Sequence, residues 1–129
     1  MILAKYLSAP YVFGGRDFSG CDCFGLVSLY FKHELGIILF DAKSGDTGVP
    51  GYSGSQRMIE NVHVDFERVD EAKKNRIILF DAGDFWHCGV MIDDSVMLQT
   101  DVSHQCTAIK LTRMPMAVHS IYQHRGLSA

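Results

Sequence analysis

An α+β fold with a largely antiparallel sheet is the class this chain predicts, from three observations. One apolar run with helical spacing comes early, over residues 22–35, and Gly36 stops it. A set of short runs rich in branched and aromatic residues follows after residue 75. Those runs are consecutive and joined by short links, the order of a sheet built strand beside strand.

The elements are expected as follows. Residues 1–10 form an amphipathic lead-in with Ile2, Leu3, Tyr6 and Leu7 on one face, ended by Pro10. Tyr11 to Gly20 is a Gly-punctuated loop. The helix over 22–35 carries Phe24, Val27, Leu29, Phe31 and Leu35, and Gly25 in its first turn predicts close packing there. Residues 43–56, with four glycines and a proline, are expected as a long loop of the kind that is functional or mobile. A short helix around Gln56–Asn61, a weakly patterned segment to Glu71 and a solvated turn at Lys73-Lys74-Asn75 follow. The strands are Arg76–Phe80, His87–Ile92, Ser95–Gln99, Thr107–Leu111 and Ala117–Tyr122. The hexapeptide Ile-Ile-Leu-Phe-Asp-Ala stands at both Ile37–Ala42 and Ile77–Ala82, with no matching flanks, and reads as coincidence rather than duplication.

At 129 residues the chain is expected to be one domain, 1–129, able to bury a core without staples. A net charge of -3 and the lack of a basic stripe argue against a nucleic-acid partner. No run reaches the length of a membrane span, and the opening residues are too short for a signal peptide. Cys21, Cys23, Cys88 and Cys106 are expected as reduced thiols, with no disulfide framework.

The chemistry centres on Gly20-Cys21-Asp22-Cys23-Phe24-Gly25, where thiols stand at or near the first turn of a helix. Unpaired N–H groups and the positive end of the helix dipole favour an anion there, so a cysteine pKa falls into the reactive range. On this argument Cys21 and Cys23 both qualify. A cysteine nucleophile needs a base, and the base an orienting group. His87, at the start of a strand, is the candidate base. Gln99 on the next strand is the candidate orienter, its amide oxygen accepting from Nδ1 so that Nε2 faces the thiol. A two-residue turn at Asp93-Asp94 would put the two on opposite faces. An odd loop, such as three residues centred on Asp93, would pair His87 with Gln99 on one face; with an even loop, Thr100 or Asp101 would serve instead. Trp86, ending a Gly-containing loop beside His87, is expected as a wall of the substrate cleft.

Three motifs in order give a more specific comparison: Pro10-Tyr11-Val12-Phe13-Gly14-Gly15, Asp22-Cys23-Phe24-Gly25-Leu26-Val27, and His87-Cys88-Gly89-Val90-Met91-Ile92. Together they resemble the NlpC family of papain-like cysteine peptidases that cut cell-wall peptides. The likeness covers roughly residues 8–100. The family pattern is Tyr-x-Tyr-Gly-Gly, then Asp-Cys-Ser-Gly opening a helix, then a His-Val-Gly-Ile strand with a polar residue twelve positions after that His. Gln99 stands at the twelfth position, and Tyr11 twelve residues before Cys23. The resemblance implies a papain-like fold with the nucleophile-bearing helix packed on the sheet. It implies Cys23 as nucleophile, His87 as general base and Gln99 as third member. Tyr11 would hold the oxyanion or substrate, with the backbone N–H of Cys23 as a second donor. Asp22 and the residue after the cysteine, here Phe24, would contact a peptidoglycan stem peptide. No cofactor or metal is implied.

The sequence departs from the family pattern at three places. Phe24 replaces Ser, Lys74-Asn75-Arg76 replaces Pro-Gly-Asp, and Gln99 replaces the usual His. The large residue after the cysteine, Gly25-Leu26-Val27 and Glu34-Leu35-Gly36-Ile37 resemble the branch found in bacteriophage tail proteins. That branch implies a tail tip or assembly component, with other tail proteins as partners and the host cell wall as the place of action. Outside a phage, a chain with no export signal is expected in the cytoplasm. Two other readings remain: a catalytically silent tail module with the same fold, and a zinc site drawn from Cys21, Cys23, His87, Cys88, His104 and Cys106. The ligand pairs of the zinc site are spaced one residue tighter than usual.

Overall fold

The computed structural model describes residues 1–41, 52–83, 85–103 and 105–127, the side chains of 52–56 excepted. In order, the elements are α1 (Leu3–Leu7), β1 (Arg16–Asp17), β2 (Gly20–Cys21), α2 (Cys23–Leu35), α3 (Tyr52–Asp65), β3 (Phe66–Val69), β4 (Ile77–Asp81), β5 (Trp86–Met91), β6 (Val96–Asp101), β7 (Gln105–Lys110), a 3-10 turn (Leu111–Arg113) and β8 (Ala117–His124). The architecture is α+β and papain-like. Strands β3 to β8 form one sheet in the order β3-β8-β4-β5-β6-β7, every pairing antiparallel.

Helix α2 begins and ends where local chemistry dictates. Asp22 caps it, accepting from Gly25 N at 2.8 Å, and Gly36 closes it in the left-handed conformation at φ 67°. Gly25 is in the first turn because the backbone of the preceding loop passes over it. A Cβ there would lie 2.1 Å from the carbonyl oxygen of Gly15. The buried residues Phe24, Leu26, Val27, Tyr30 and Phe31 join Ile77, Leu79, Cys88, Val90 and Leu98 in the main core between helices and sheet. Ile78, Phe80, Met91 and Met97 form a second core on the other face, covered by Ile109, Leu111, Met114, Met116 and Ile121. With apolar packing on both faces, β4 is hydrophobic and buried from Ile77 to Phe80 and lies inside the sheet.

Three expectations are corrected here. The segment expected as loop from Tyr11 to Gly20 contains β1, which pairs with β2 as Arg16↔Cys21 and Asp17↔Gly20. The short helix around Gln56–Asn61 is the middle of a 14-residue helix that starts at Tyr52 and runs to Asp65. Met58 and Val62, four apart, seat α3 on the core, and that packing carries helix through a Gly/Ser-rich start. Of the loop expected over 43–56, residues 43–51 lie outside the described residues. The weakly patterned segment to Glu71 contains β3, an edge strand of four residues paired with β8.

Candidate active site

Cys23 is the first residue of α2 and stands half-buried against the main core, at the positive end of the helix. Its sulfur meets the Met58 thioether of α3, with Sγ to Sδ at 3.6 Å, and His87 and Cys88 of β5 are the neighbours that act on its charge. The influence of Cys88, then that of His87 and its charge, outweighs burial and brings the Cys23 thiol down to about 5. Cys21 two residues earlier behaves oppositely. It is fully buried in β2, and burial pushes its thiol up to about 11. Burial likewise pushes Cys106 up to about 12. The helix-start argument left both motif cysteines open, and the strand at Cys21 separates them.

His87 is 3% exposed. Burial alone would lower the pKa of its ring. The bond and charge of Cys23, with smaller help from Gln99 and Asp101, turn the net change upward. A lowered thiol beside a raised imidazole is the pattern of a thiolate–imidazolium pair. His87 Nε2 lies 2.9 Å from Gln99 Oε1, and Gln99 Nε2 donates to Thr107 Oγ1 at 2.6 Å. The structure therefore reverses the expected ring orientation: Nε2 goes to Gln99, leaving Nδ1 as the nitrogen for the thiol.

The register explains the reversal. The turn between β5 and β6 has three residues, Asp93 to Ser95, with Ile92 N donating to Val96 O. Asp93 Oδ1 accepts from Ser95 N at 2.8 Å and Val96 N at 2.7 Å, so the odd loop is centred on Asp94 rather than Asp93. Val90 lies opposite Leu98 and Met91 opposite Met97, a register that sets Gly89 against Gln99. His87 and Gln99 share a face, as an odd loop requires, but as diagonal neighbours, a separation that only long side chains span. The outer nitrogen, Nε2, is the one that reaches across. Thr107, directly opposite Gln99 on β7, went unnoticed in the sequence. Its signal is the cross-strand pairing of two polar residues in the β6–β7 hairpin.

Tyr11 sits beside the site, bridged to Cys21. Burial, then the negative charges of Cys23, Asp22 and Asp101, push its phenol up to about 12, so it keeps its proton and can donate. Asp22 and Phe24, expected to contact substrate, are engaged by the protein. Asp22 accepts from Gly25 N, from Gly14 N at 2.9 Å and from Arg16 Nη1 at 2.7 Å. Arg16 in turn is paired with Asp41, which also accepts from Asn61. Phe24 is 2% exposed and lies under the Arg16 guanidinium, 5.5 Å from its ring centre. One helical step after Cys23 points it into the core rather than the cleft. Trp86 is half-buried, packs on the main core and meets the His119 ring edge-on at 4.8 Å. His119 is the extra residue at an irregularity in the β4–β8 pairing, between Leu79↔Ser120 and Phe80↔Val118.

Among the described residues no three His, Cys, Asp or Glu side chains are grouped to hold a metal ion. His104 of the zinc reading lies outside them.

A thiol at a helix start beside a histidine of an antiparallel sheet is the arrangement expected of a papain-like cysteine site. The family model described as NlpC/P60 family matches residues 8–125, and the chain belongs to that family. Two solved structures share the fold. One is the NlpC/p60 domain of the peptidoglycan hydrolase SagA, 17% identical, with a TM-score of 0.56 over 91% of this chain and 92% of that one. The other is NlpC2 from Trichomonas vaginalis, 16% identical, with a TM-score of 0.65 over 95% of this chain and 43% of that one. No curated protein matches the sequence.

Proposed function

We propose that this chain is a cysteine peptidase that hydrolyses a peptide amide of bacterial peptidoglycan. One observation carries the reading: Cys23 stands first in α2, and the neighbouring His87 is held by Gln99 at 2.9 Å, an arrangement with which the lowered Cys23 thiol agrees. Family membership and the fold shared with a peptidoglycan hydrolase domain point to the same substrate.

In this reading the Cys23 thiolate attacks the amide carbon. The oxyanion takes hydrogen bonds from the backbone N–H of Cys23 and the protonated Tyr11 phenol. His87, as imidazolium, gives its Nδ1 proton to the leaving amine, and the thioester forms as the C–N bond breaks. Water then attacks the thioester, with His87 taking its proton and the Cys23 sulfur leaving. Gln99 is neutral, so it orients the ring without adding charge to stabilise the imidazolium.

Two finer parts rest on resemblance. The bond is assigned next to D-glutamate, on its link to the diamino acid. The setting is assigned to a phage tail, on Phe24 after the nucleophile and on Glu34-Leu35-Gly36-Ile37. A silent tail module is the second reading, favoured by the bonds that engage Asp22 within the protein.

Digestion of purified peptidoglycan, with mass analysis of the fragments, tests these readings. Release of new amine and carboxyl ends by the wild type and Cys21→Ala, and none by Cys23→Ala, supports the peptidase. No release by the folded wild type favours the silent module. Loss in Cys21→Ala with retention in Cys23→Ala overturns the assignment of the nucleophile.

A further inference from the structure

Arg16 takes no part in the mechanism above, yet most of its donors are committed one residue away from the nucleophile. It lies opposite Cys21 in the β1–β2 pair, so its side chain reaches Asp22, the residue between that strand and Cys23. Nη1 donates to Asp22 Oδ1 at 2.7 Å and to Gly15 O at 2.8 Å, while Nε and Nη2 turn to Asp41. Asp41 also accepts from Asn61 of α3. The flat guanidinium rests over the buried Phe24 ring. Bonded to the cap of α2 and to Asp41, and backed by an aromatic face, the cation is fixed in place.

The cap shows why a cation belongs there. Asp22 takes three donors: Gly25 N and Arg16 Nη1 on Oδ1, and Gly14 N on Oδ2. Asn would cap Gly25 as well as Asp does. The carboxylate adds acceptors for Gly14 N and the guanidinium, which tie the Tyr11 loop to the helix start. It also sets a negative charge one residue from a thiol that must ionise, and like charges that close oppose each other. We propose that Arg16 is a positioning residue for the reaction: paired with the Asp22 carboxylate, it balances the charge of the cap, so that Asp22 can hold the loop without opposing the Cys23 thiolate. The titration of Cys23 agrees, since Asp22 opposes its ionisation only as the smallest of the influences on it. The other groups facing Cys23 are His87 and Cys88 from β5, the uncharged Met58 thioether from α3 and the Tyr11 phenol, which keeps its proton. Around the guanidinium the charged groups are Asp22 and Asp41.

The inference rests on Cys23 being the nucleophile, and alkylation of the intact protein by iodoacetamide separates the two claims. The rate at Cys23 is followed against pH by peptide mass mapping in wild type, Arg16→Met, Asp22→Asn and the double variant. Thermal unfolding identifies which variants are folded. Met keeps an unbranched stem over Phe24 without the charge; Arg16→Gln, which is neutral but still donates, serves if Met does not fold. Arg16→Met is expected to raise the Cys23 inflection by about half to one pH unit. Asp22→Asn alone should move it little, because the charge it removes is already balanced, and the double variant should return close to wild type. In Arg16→Met, kcat/KM on peptidoglycan fragments should fall roughly three- to tenfold on the acid side of the profile and approach wild type at neutral pH. A merely structural role would lower it at every pH. A folded Arg16→Met protein with the wild-type inflection overturns the role of Arg16. An equal rise in the Asp22→Asn background overturns it too, because Arg16 would then not act through Asp22. A wild-type Cys23 that titrates like a free thiol overturns the proposed nucleophile itself.

Discussion

His87 meets Gln99 through Nε2 at 2.9 Å, on the diagonal between β5 and β6. The amide thereby fixes which ring nitrogen faces Cys23. Gln99→Ala is expected to leave the ring free to turn and to lower kcat/KM roughly a hundredfold, at the low end of what a positioned acid–base group contributes. Steady-state kinetics on a muropeptide measure this. Gln99→Ala retaining wild-type kcat/KM would remove Gln99 from the mechanism.

Thr107 decides which end of the Gln99 amide faces His87. Its hydroxyl accepts from Gln99 Nε2 at 2.6 Å, so the oxygen is left for the ring. Thr107→Val keeps the shape and loses the acceptor, and the amide can flip to present N–H to an imidazolium. A loss of roughly tenfold in kcat with little change in KM is expected, and Thr107→Ser should restore most of it. Equal kinetics in all three proteins would make the contact structural only.

The same residues show how far the sequence could be read. Cys23 at a helix start was legible because capping and the dipole are local: Asp22, Gly25 and Gly36 mark the helix within the chain itself. That His87 and Gln99 share a face was legible as parity. Which ring nitrogen faces Gln99 was not, because the Asp93 turn shifts the pairing by two residues. The twin hexapeptides show the limit most plainly. Ile77–Asp81 is an interior strand with four residues buried, while Ile37 to Asp41 forms no strand and leaves Ile38 74% exposed. Identical residues take different structures because one copy lies between two strands and the other follows the Gly36 cap. Strand β3 and the full length of α3 depended likewise on partners far along the chain, β8 for one and the sheet core for the other.

The displaced thiol and imidazole set a pH window. As pH falls through about 5, the Cys23 thiolate takes up a proton and attack stops. As pH rises through the pKa of His87, which lies above its ordinary 6.5, the imidazolium loses the proton the leaving amine needs. A bell-shaped kcat/KM is expected, with its acid limb near 5 and its alkaline limb above 6.5. Alkylation of Cys23, which needs only the thiolate, should show the acid limb alone. A single rise near the free-thiol range in both assays would contradict the ion pair.

Gly25 tests the close approach between the loop and α2. An added Cβ would lie 2.1 Å from Gly15 O, a backbone atom that cannot swing aside. Although Ala favours helix, Gly25→Ala is expected to destabilise the protein by about 1–3 kcal/mol, the usual range for overpacking. The displaced loop carries Tyr11 and Arg16, so activity should fall with stability. Chemical denaturation measures the first, and an unchanged or higher midpoint would show that the loop yields freely.

Asp22 has two possible uses, and its partners distinguish them. Its carboxylate caps α2 at Gly25 N, holds the loop at Gly14 N and pairs with Arg16, which Asp41 also grips. Asn is as good a cap as Asp but carries no charge, while Ala is neither. Asp22→Ala is expected to cost about 2 kcal/mol, about half from the lost cap and the rest from the orphaned loop amide and weakened ion pair. Asp22→Asn should lose under about 1 kcal/mol, since Asn keeps the cap and Arg16 keeps its pairing with Asp41. If the carboxylate serves the fold, KM for a stem peptide with a free amino end should be nearly the same in Asp22→Asn and wild type. A KM raised manyfold in a variant of undiminished stability would show that the substrate ammonium displaces Arg16 and takes the carboxylate for itself.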